Sequence, residues 1–329
     1  MQYQQIGQTG FEVSDVVLGT YKAGGHDWGA VNDFDSIETI KYCIDSGMNL
    51  VDTATGYGMG RSERLIRYAL DDEGAARRGR AWVLTKFYLW QGPDEKLIKS
   101  VSREAQAQFL IGSKARLGVD QLDLVLLHRD DEVTPIETAV ETLAEFQASG
   151  QIKQIGVSNY SLEHLERAQK VASLQNYQPP FSMTETAFRD DGRLDFCRQH
   201  DISVGVYSVL GQGLFAPRLK EASEYASWDN RSRSRSGPEF EKARRIHARL
   251  QEIADRDGKS VSQLAIAWVL SHPGVTFAII GASTPQQAEH NLAASGYRIS
   301  GDVIAECEQI VQEEKVATRN ANEGSSATV

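Results

Sequence analysis

Eight short apolar runs, each followed by a stretch of helical period, constrain this 329-residue chain more than any other feature. The runs are "VVLGT" (16–20), "NLVDTA" (49–54), "AWVLTKF" (81–87), "LDLVLLH" (122–128), "IKQIGVSN" (152–159), "FSMTETAF" (181–188), "ISVGVYSVL" (202–210) and "TFAIIGA" (276–282). Helices are expected near 34–47, 62–72, 93–118, 135–149, 161–172, 192–200, 239–257, 260–271 and 285–294, each marked by apolar spacing of three and four or by a closing glycine. The runs show little polar alternation, as expected of parallel strands covered by helices on both faces. Eight strand–helix units favour a (β/α)8 TIM barrel over a doubly wound sheet.

The opening "YQQIGQTGFEVSD" reads as a β-hairpin around Thr9-Gly10, placed to plug the bottom of the barrel. A C-terminal helix near 301–315 closes the domain, and the Gly/Ser/Ala-rich tail 316–329 is expected to be disordered,. One long irregular stretch, 211–238, separates the seventh strand from its helix; loops of that length are lids or disordered segments. A net charge of −10 argues against nucleic acid or an anionic membrane as partner,. Cys43, Cys197 and Cys307 have no paired spacing and fit reduced thiols,. The polar start and the lack of a long apolar segment give a cytoplasmic expectation,. A homo-oligomer is compatible with this composition.

In a barrel of this kind chemistry sits at the C-terminal strand ends. Strand two ends at Asp52, with Tyr57 in the loop beyond, inside "VDTATGYGMGRSERL". Strand three ends at Lys86, strand four at His128 and strand five at Ser158-Asn159; strand seven carries Tyr207-Ser208. A free tyrosine has a pKa of about 10 and donates protons poorly at neutral pH. A neighbouring ammonium is expected to lower that value, and a carboxylate to hold the ammonium. A neutral histidine polarises a carbonyl oxygen. Alone, each residue also fits a plain role: a turn cap for Asp52, a surface lysine, a core histidine, a packing tyrosine.

The segments "DTATGYGMGRSE", "LTKF", "LLHRDD", "GVSNY" and "IIGASTPQQAEHNLAA", taken in order, resemble the signatures of the aldo-keto reductases from about residue 3 to about 315. The resemblance implies a (β/α)8 barrel that binds NAD(P)H without a Rossmann domain, no metal, and Tyr57, Asp52, Lys86 and His128 as the catalytic four. It implies NAD(P)H-dependent reduction of aldehydes or ketones with Tyr57 as general acid. The same residues run in reverse give a sugar (aldose) 1-dehydrogenase, and related barrels include potassium-channel β-subunits, a cofactor-sensing alternative.

By the same resemblance Ser158 and Asn159 hold the nicotinamide carboxamide, Tyr207 stacks on the ring, and Gly19, Thr20 and Asp52 lie beneath it. Ser208, Leu210, Gln212 and Gly213 follow the pyrophosphate; Gly281, Ser283, Gln287, His290 and Asn291 face the adenosine end. Substrate contacts are expected from Tyr21, Trp28, Tyr57, Phe87, Tyr88, Trp90, His128 and Arg129. Two departures stand out. Where the family has Gln-x-x-Tyr on strand six, Glu185-Thr-Ala-Phe188 is expected here, and an ionised Glu185 beside the carboxamide would favour the oxidised cofactor,. The region "GASTPQQAEHN" has no Lys or Arg for a 2′-phosphate,, and His290 replaces a common acid. NADP(H) is therefore the family expectation with NAD(H) left open. The arginines of "NRSRSRSG" (230–237) fit a solvated loop or a fold over the phosphates.

Overall fold

The computed structural model describes residues 1–25, 31–71, 76–91, 96–224 and 237–326. Trp28 and residues 230–236 of the arginine-rich run lie outside them. Eight parallel strands close into a barrel in the order β3 (Val16–Gly19), β4 (Leu50–Asp52), β5 (Trp82–Phe87), β8 (Leu122–Leu127), β9 (Ile152–Ser158), β10 (Asn176–Gln178), β11 (Ser203–Val206) and β12 (Phe277–Gly281). The barrel closes where Gly281 of β12 pairs with Gly19 of β3.

Each strand is apolar on both faces because each face meets something different. Val16, Leu18, Val51, Val83, Phe87, Val125 and Leu127 belong to the outer core beneath the helices. Val17, Leu50, Leu84, Leu124, Leu126 and Phe277 form a separate inner core. A Cβ on Gly205 would overlap the Phe277 ring, so the small residue on β11 makes room for the large one on β12. The hairpin β1–β2 (Tyr3–Gln5 and Glu12–Ser14) delivers Ile6 and Val13 to this inner core, and Phe11 stacks on Trp82 at 3.9 Å. The hairpin therefore seals the barrel bottom, as expected.

Helix starts carry their own signals. Asn32 caps α1 (Asp33–Asp45), Ser161 caps α5 (Leu162–Val171), and Ser260 with Gln263 forms a capping box on α9 (Val261–Leu270),. Thr284 caps α10 (Pro285–Leu292), with proline at its first position,. The long helix expected over 93–118 is shorter. Ser102 is the true cap, and α3 is Arg103–Leu117 with Gly118 closing it at φ 69°. The residues ahead of it instead form the antiparallel pair β6–β7 (Leu89–Gln91 and Leu97–Lys99) over the mouth side of β5.

Strand six is also corrected. It is Asn176–Gln178, not 181–188; past Gln178 the two prolines offer no N–H, and pairing with the β11 side dwindles to a single bridge between Pro180 and Tyr207,. The final helix, α11 (Gly301–Ser326), runs past its expected end at 315. Among the described residues no helix is long and apolar enough to cross a membrane.

Candidate active site

A strand turns its side chains alternately in and out. Leu50, Leu84 and Leu126 face the barrel interior. Counting two residues on from each reaches Asp52, Lys86 and His128. The inner core thus runs upward into a ring of polar groups at the C-terminal mouth. The same count on the other strands gives Ser158, Gln178 and Tyr207, and it gives glycine at Gly19 and Gly281. One side of the mouth is polar, and the side where β3 meets β12 is bare.

Lys86 is fully buried and Asp52 is 3% exposed. The Lys86 ammonium donates to Asp52 Oδ2 at 2.7 Å, to the Thr53 carbonyl at 2.8 Å and to the Tyr57 hydroxyl at 3.4 Å. Gln178 Nε2 donates to the same Asp52 oxygen at 2.8 Å. The His128 ring meets the Tyr57 ring edge-on at 5.9 Å, and Tyr21 meets it on another side at 4.9 Å. The four expected catalytic side chains therefore converge around the Tyr57 hydroxyl.

Burial pushes the Asp52 carboxyl up and the Lys86 amine down; each is the other's compensation, with Gln178 adding a bond. Burial also drives the His128 imidazole well below its ordinary value, helped by the charges of Lys86 and Arg129, so the ring is neutral at neutral pH. The expectation for Tyr57 is reversed. Burial first, then the Asp52 charge, raises its phenol well above 10. The carboxylate paired with Lys86 offsets the ammonium's field, so the phenol is held protonated rather than primed as phenolate.

The glycines around Tyr57 serve packing between backbones. Gly58 has φ +58°, and a Cβ there would overlap the Gly24 carbonyl oxygen. The Tyr57 loop is thereby pressed against the loop after β3. Gly58→Ala is expected to destabilise the fold by roughly 2–4 kcal/mol, from left-handed strain and steric overlap. It should also lower kcat more than about tenfold by displacing the phenol. Thermal unfolding and steady-state rates check this; an unshifted melting temperature would refute the packing argument.

At β9, Asn159 adopts φ 61°. Its amide donates to the His128 carbonyl at 2.9 Å and its oxygen accepts from the Tyr207 hydroxyl at 2.7 Å. Ser158 donates to the Gln178 carbonyl at 2.7 Å. Ser208 and Gln212 are also left-handed, at φ 59° and 53°, in the turn holding Leu210 and Gly213. Strained non-glycine backbone of this kind concentrates where a ligand is gripped. Thr20, after Gly19, donates to the Asp52 carbonyl at 2.7 Å. Beyond Gly281, the Ser283 hydroxyl is buried with no hydrogen-bond partner among the described residues, its amide donates to Gln287 Oε1 at 2.9 Å, and Asn291 donates to the Gly281 carbonyl at 3.4 Å. A bare glycine notch, a carboxamide and an orphaned hydroxyl along one edge fit a nicotinamide dinucleotide.

Three expectations are revised. Glu185 is exposed in a turn closed by paired bonds with Ser182, so it does not occupy the strand-six position. That position belongs to Gln178, and Gln178-Pro-Pro-Phe181 carries the Gln-x-x-aromatic pattern; Glu185 reaches the site only through its charge, which is among the causes that raise the Tyr207 phenol. His290 is committed to the hydroxyls of Ser260 and Ser262, both at 2.9 Å, tying α10 to the start of α9. Phe87 follows inward-facing Lys86, so it points outward and packs on Phe109 at 5.6 Å, away from the mouth. Tyr88 and Trp90 are partly buried beside the β6–β7 hairpin, and Arg129 lies over Tyr88. Gln178 and buried Glu63 were not foreseen. Glu63 accepts from Thr85 at 2.7 Å, next to Lys86, and from Arg116 at 2.6 Å. The proline pair after Gln178 was the readable signal for the first.

The eightfold parallel barrel with these side chains at its mouth defines the class, and sequence comparison agrees. Residues 15–312 match the Aldo/keto reductase family, and the chain belongs to it. It is 33% identical over 309 residues to Aldo-keto reductase YhdN of Bacillus subtilis (strain 168), covering 92% of this chain and 91% of that one. It is 28% identical over 337 residues to a probable voltage-gated potassium channel subunit beta of Oryza sativa subsp. japonica, covering 97% and 99%. The structure of a glycerol dehydrogenase from Gluconobacter oxydans superimposes with a TM-score of 0.86 at 29% identity, covering 95% of each chain. The family is one of NAD(P)H-dependent oxidoreductases.

Proposed function

We propose that this protein reduces an aldehyde or ketone to an alcohol, with Tyr57 as the proton donor. The observation that carries the reading is the buried Lys86 ammonium bridging Asp52 and the Tyr57 hydroxyl at 2.7 and 3.4 Å. Ser158, Asn159, Tyr207, Ser283 and Asn291 would hold the cofactor, which supplies hydride when bound. Neutral His128 donates one N–H to the carbonyl oxygen and orients it against Tyr57. Tyr57 delivers its proton to that oxygen as negative charge develops. Lys86, already donating to the phenol oxygen, stabilises the phenolate that results, and Asp52 with Gln178 keeps the ammonium in place. In the reverse direction the same groups remove a proton from an alcohol, which is the dehydrogenase reading. The similarity to a channel β-subunit supports a second reading, a barrel that senses cofactor without rapid turnover.

The deciding experiment pairs cofactor titration, by quenching of tryptophan fluorescence, with steady-state assays on a panel of aldehydes and ketones. Binding of NADPH or NADH together with turnover is expected. Tight binding with no turnover across the panel would replace the enzyme reading by the sensing one. The lack of Lys or Arg in residues 281–291 lowers the expected advantage of NADPH over NADH,.

A further inference from the structure

Arg129 follows His128 directly at the mouth end of β8 and is exposed. Its guanidinium sits over the Tyr88 ring, 5.6 Å from the centroid. Among the described residues it makes no hydrogen bond and no ion pair. Three carboxylates follow it in the chain: Asp130 and Asp131 are committed elsewhere, and exposed Glu132, held at φ 60°, forms no ion pair with it among the described residues. Asp130 Oδ2 lies 3.0 Å from His164 Nδ1. Asp131 accepts from the backbone of Val101, Thr134 and Val133 at 2.8, 2.7 and 3.1 Å, and from the Thr134 hydroxyl at 2.8 Å. Against partial burial, those bonds hold the Asp131 carboxyl down to about 2, so it stays an acceptor for the loop rather than turning to Arg129.

The Arg129 charge is felt inside the mouth. It is among the causes that depress His128, and it is the largest influence opposing burial at Tyr207. It therefore lies within electrostatic reach of both the group that orients the carbonyl and the ring on the cofactor side. Lys86, a second cation at the mouth, is buried and occupied by Asp52 and Thr53, and Arg193, whose charge also reaches Tyr207, is paired with Asp191. A chain of net charge −10 repels anions at long range, so an anionic substrate needs a local cation,. A guanidinium steadied by an aromatic face, and paired with none of the three acids that follow it, presents its planar fork to a ligand oxyanion.

We propose that Arg129 is a specificity-determining residue that binds a carboxylate or phosphate carried by the carbonyl substrate, so that the preferred substrates are anionic aldehydes or ketones. This rests on the reductase reading given above. The test compares kcat/KM for two pairs, succinic semialdehyde against butanal and glycolaldehyde phosphate against glycolaldehyde, in the cofactor-loaded wild type, Arg129→Leu and Arg129→Lys. The wild type is expected to favour the charged member of at least one pair by tenfold or more; the pair with the larger ratio identifies carboxylate or phosphate. Arg129→Leu should cut that ratio at least tenfold, chiefly through KM, and Arg129→Lys should restore part of it. Turnover of the neutral members with no charge preference, unaltered in Arg129→Leu, would overturn the proposal and leave the reductase reading standing. A weakened cofactor Kd in Arg129→Leu with an unchanged substrate ratio would also overturn it, by assigning the arginine to the cofactor. Absence of turnover on all four compounds would remove both.

Discussion

Tyr57→Phe is expected to lower carbonyl reduction by roughly 10²–10⁴-fold while the protein still folds and binds cofactor. The substitution removes one oxygen. The ring keeps its edge contacts with Tyr21 at 4.9 Å and His128 at 5.9 Å. Lys86 loses its longest bond, at 3.4 Å, and keeps Asp52 and the Thr53 carbonyl. Stability should therefore change by only about 1 kcal/mol, the usual size of one hydrogen bond. The cofactor contacts proposed for Asn159, Tyr207 and Ser283 do not involve the phenol, so the cofactor Kd should stay within about twofold, an allowance of about 0.4 kcal/mol. The wild-type pH profile bears on the same point. Burial and Asp52 raise the phenol above 10, so the donor stays protonated through neutral pH and reduction should decline only in strongly alkaline solution. A Tyr57→Phe protein with near-normal kcat would show that the proton comes from elsewhere.

Much of this site was legible because a β-strand obeys a two-residue count. Asp52, Lys86 and His128 sit at the ends of apolar runs, and each falls in phase with an inward leucine two residues earlier. What the sequence hid was cooperative. Pairing among Leu89–Gln91 and Leu97–Lys99 leaves α3 to begin at Arg103, although the local spacing looked adequate for helix as far back as residue 93. Strand six is only three residues long, and the better-looking apolar run after its prolines, 181–188, packs as a turn and a short helix, α6 (Ala187–Asp190). The sign of the Tyr57 shift was also out of reach. It is set first by how deeply the phenol is buried and then by the Asp52 charge, which are matters of packing and distance rather than of residue types.

Lys86→Met should abolish turnover and destabilise the fold by about 3–5 kcal/mol, because removing one partner of a buried ion pair strands the other. Asp52 is 3% exposed, and without the ammonium its charged oxygen would retain only the Gln178 amide at 2.8 Å. Methionine fills similar volume, so the loss is electrostatic rather than a cavity. The double variant Lys86→Met/Asp52→Asn separates the two effects: a neutral carboxamide needs no counter-charge and still accepts from Gln178, so most of the stability should return while activity should not. The pH response gives an independent sign. Burial already pushes the Asp52 carboxyl up in the wild type, and losing Lys86 pushes it further. Between the unfolded value of about 3.9 and that raised folded value, the native state of Lys86→Met binds more protons than the unfolded state, so its stability should rise as the pH falls through that window. The double variant lacks the carboxyl and should lack that rise. If chemical denaturation at several pH values gave Lys86→Met and the double variant the same stability throughout, Asp52 would not be the charge that Lys86 compensates, and the bridge from Asp52 through Lys86 to Tyr57 would lose its physical basis.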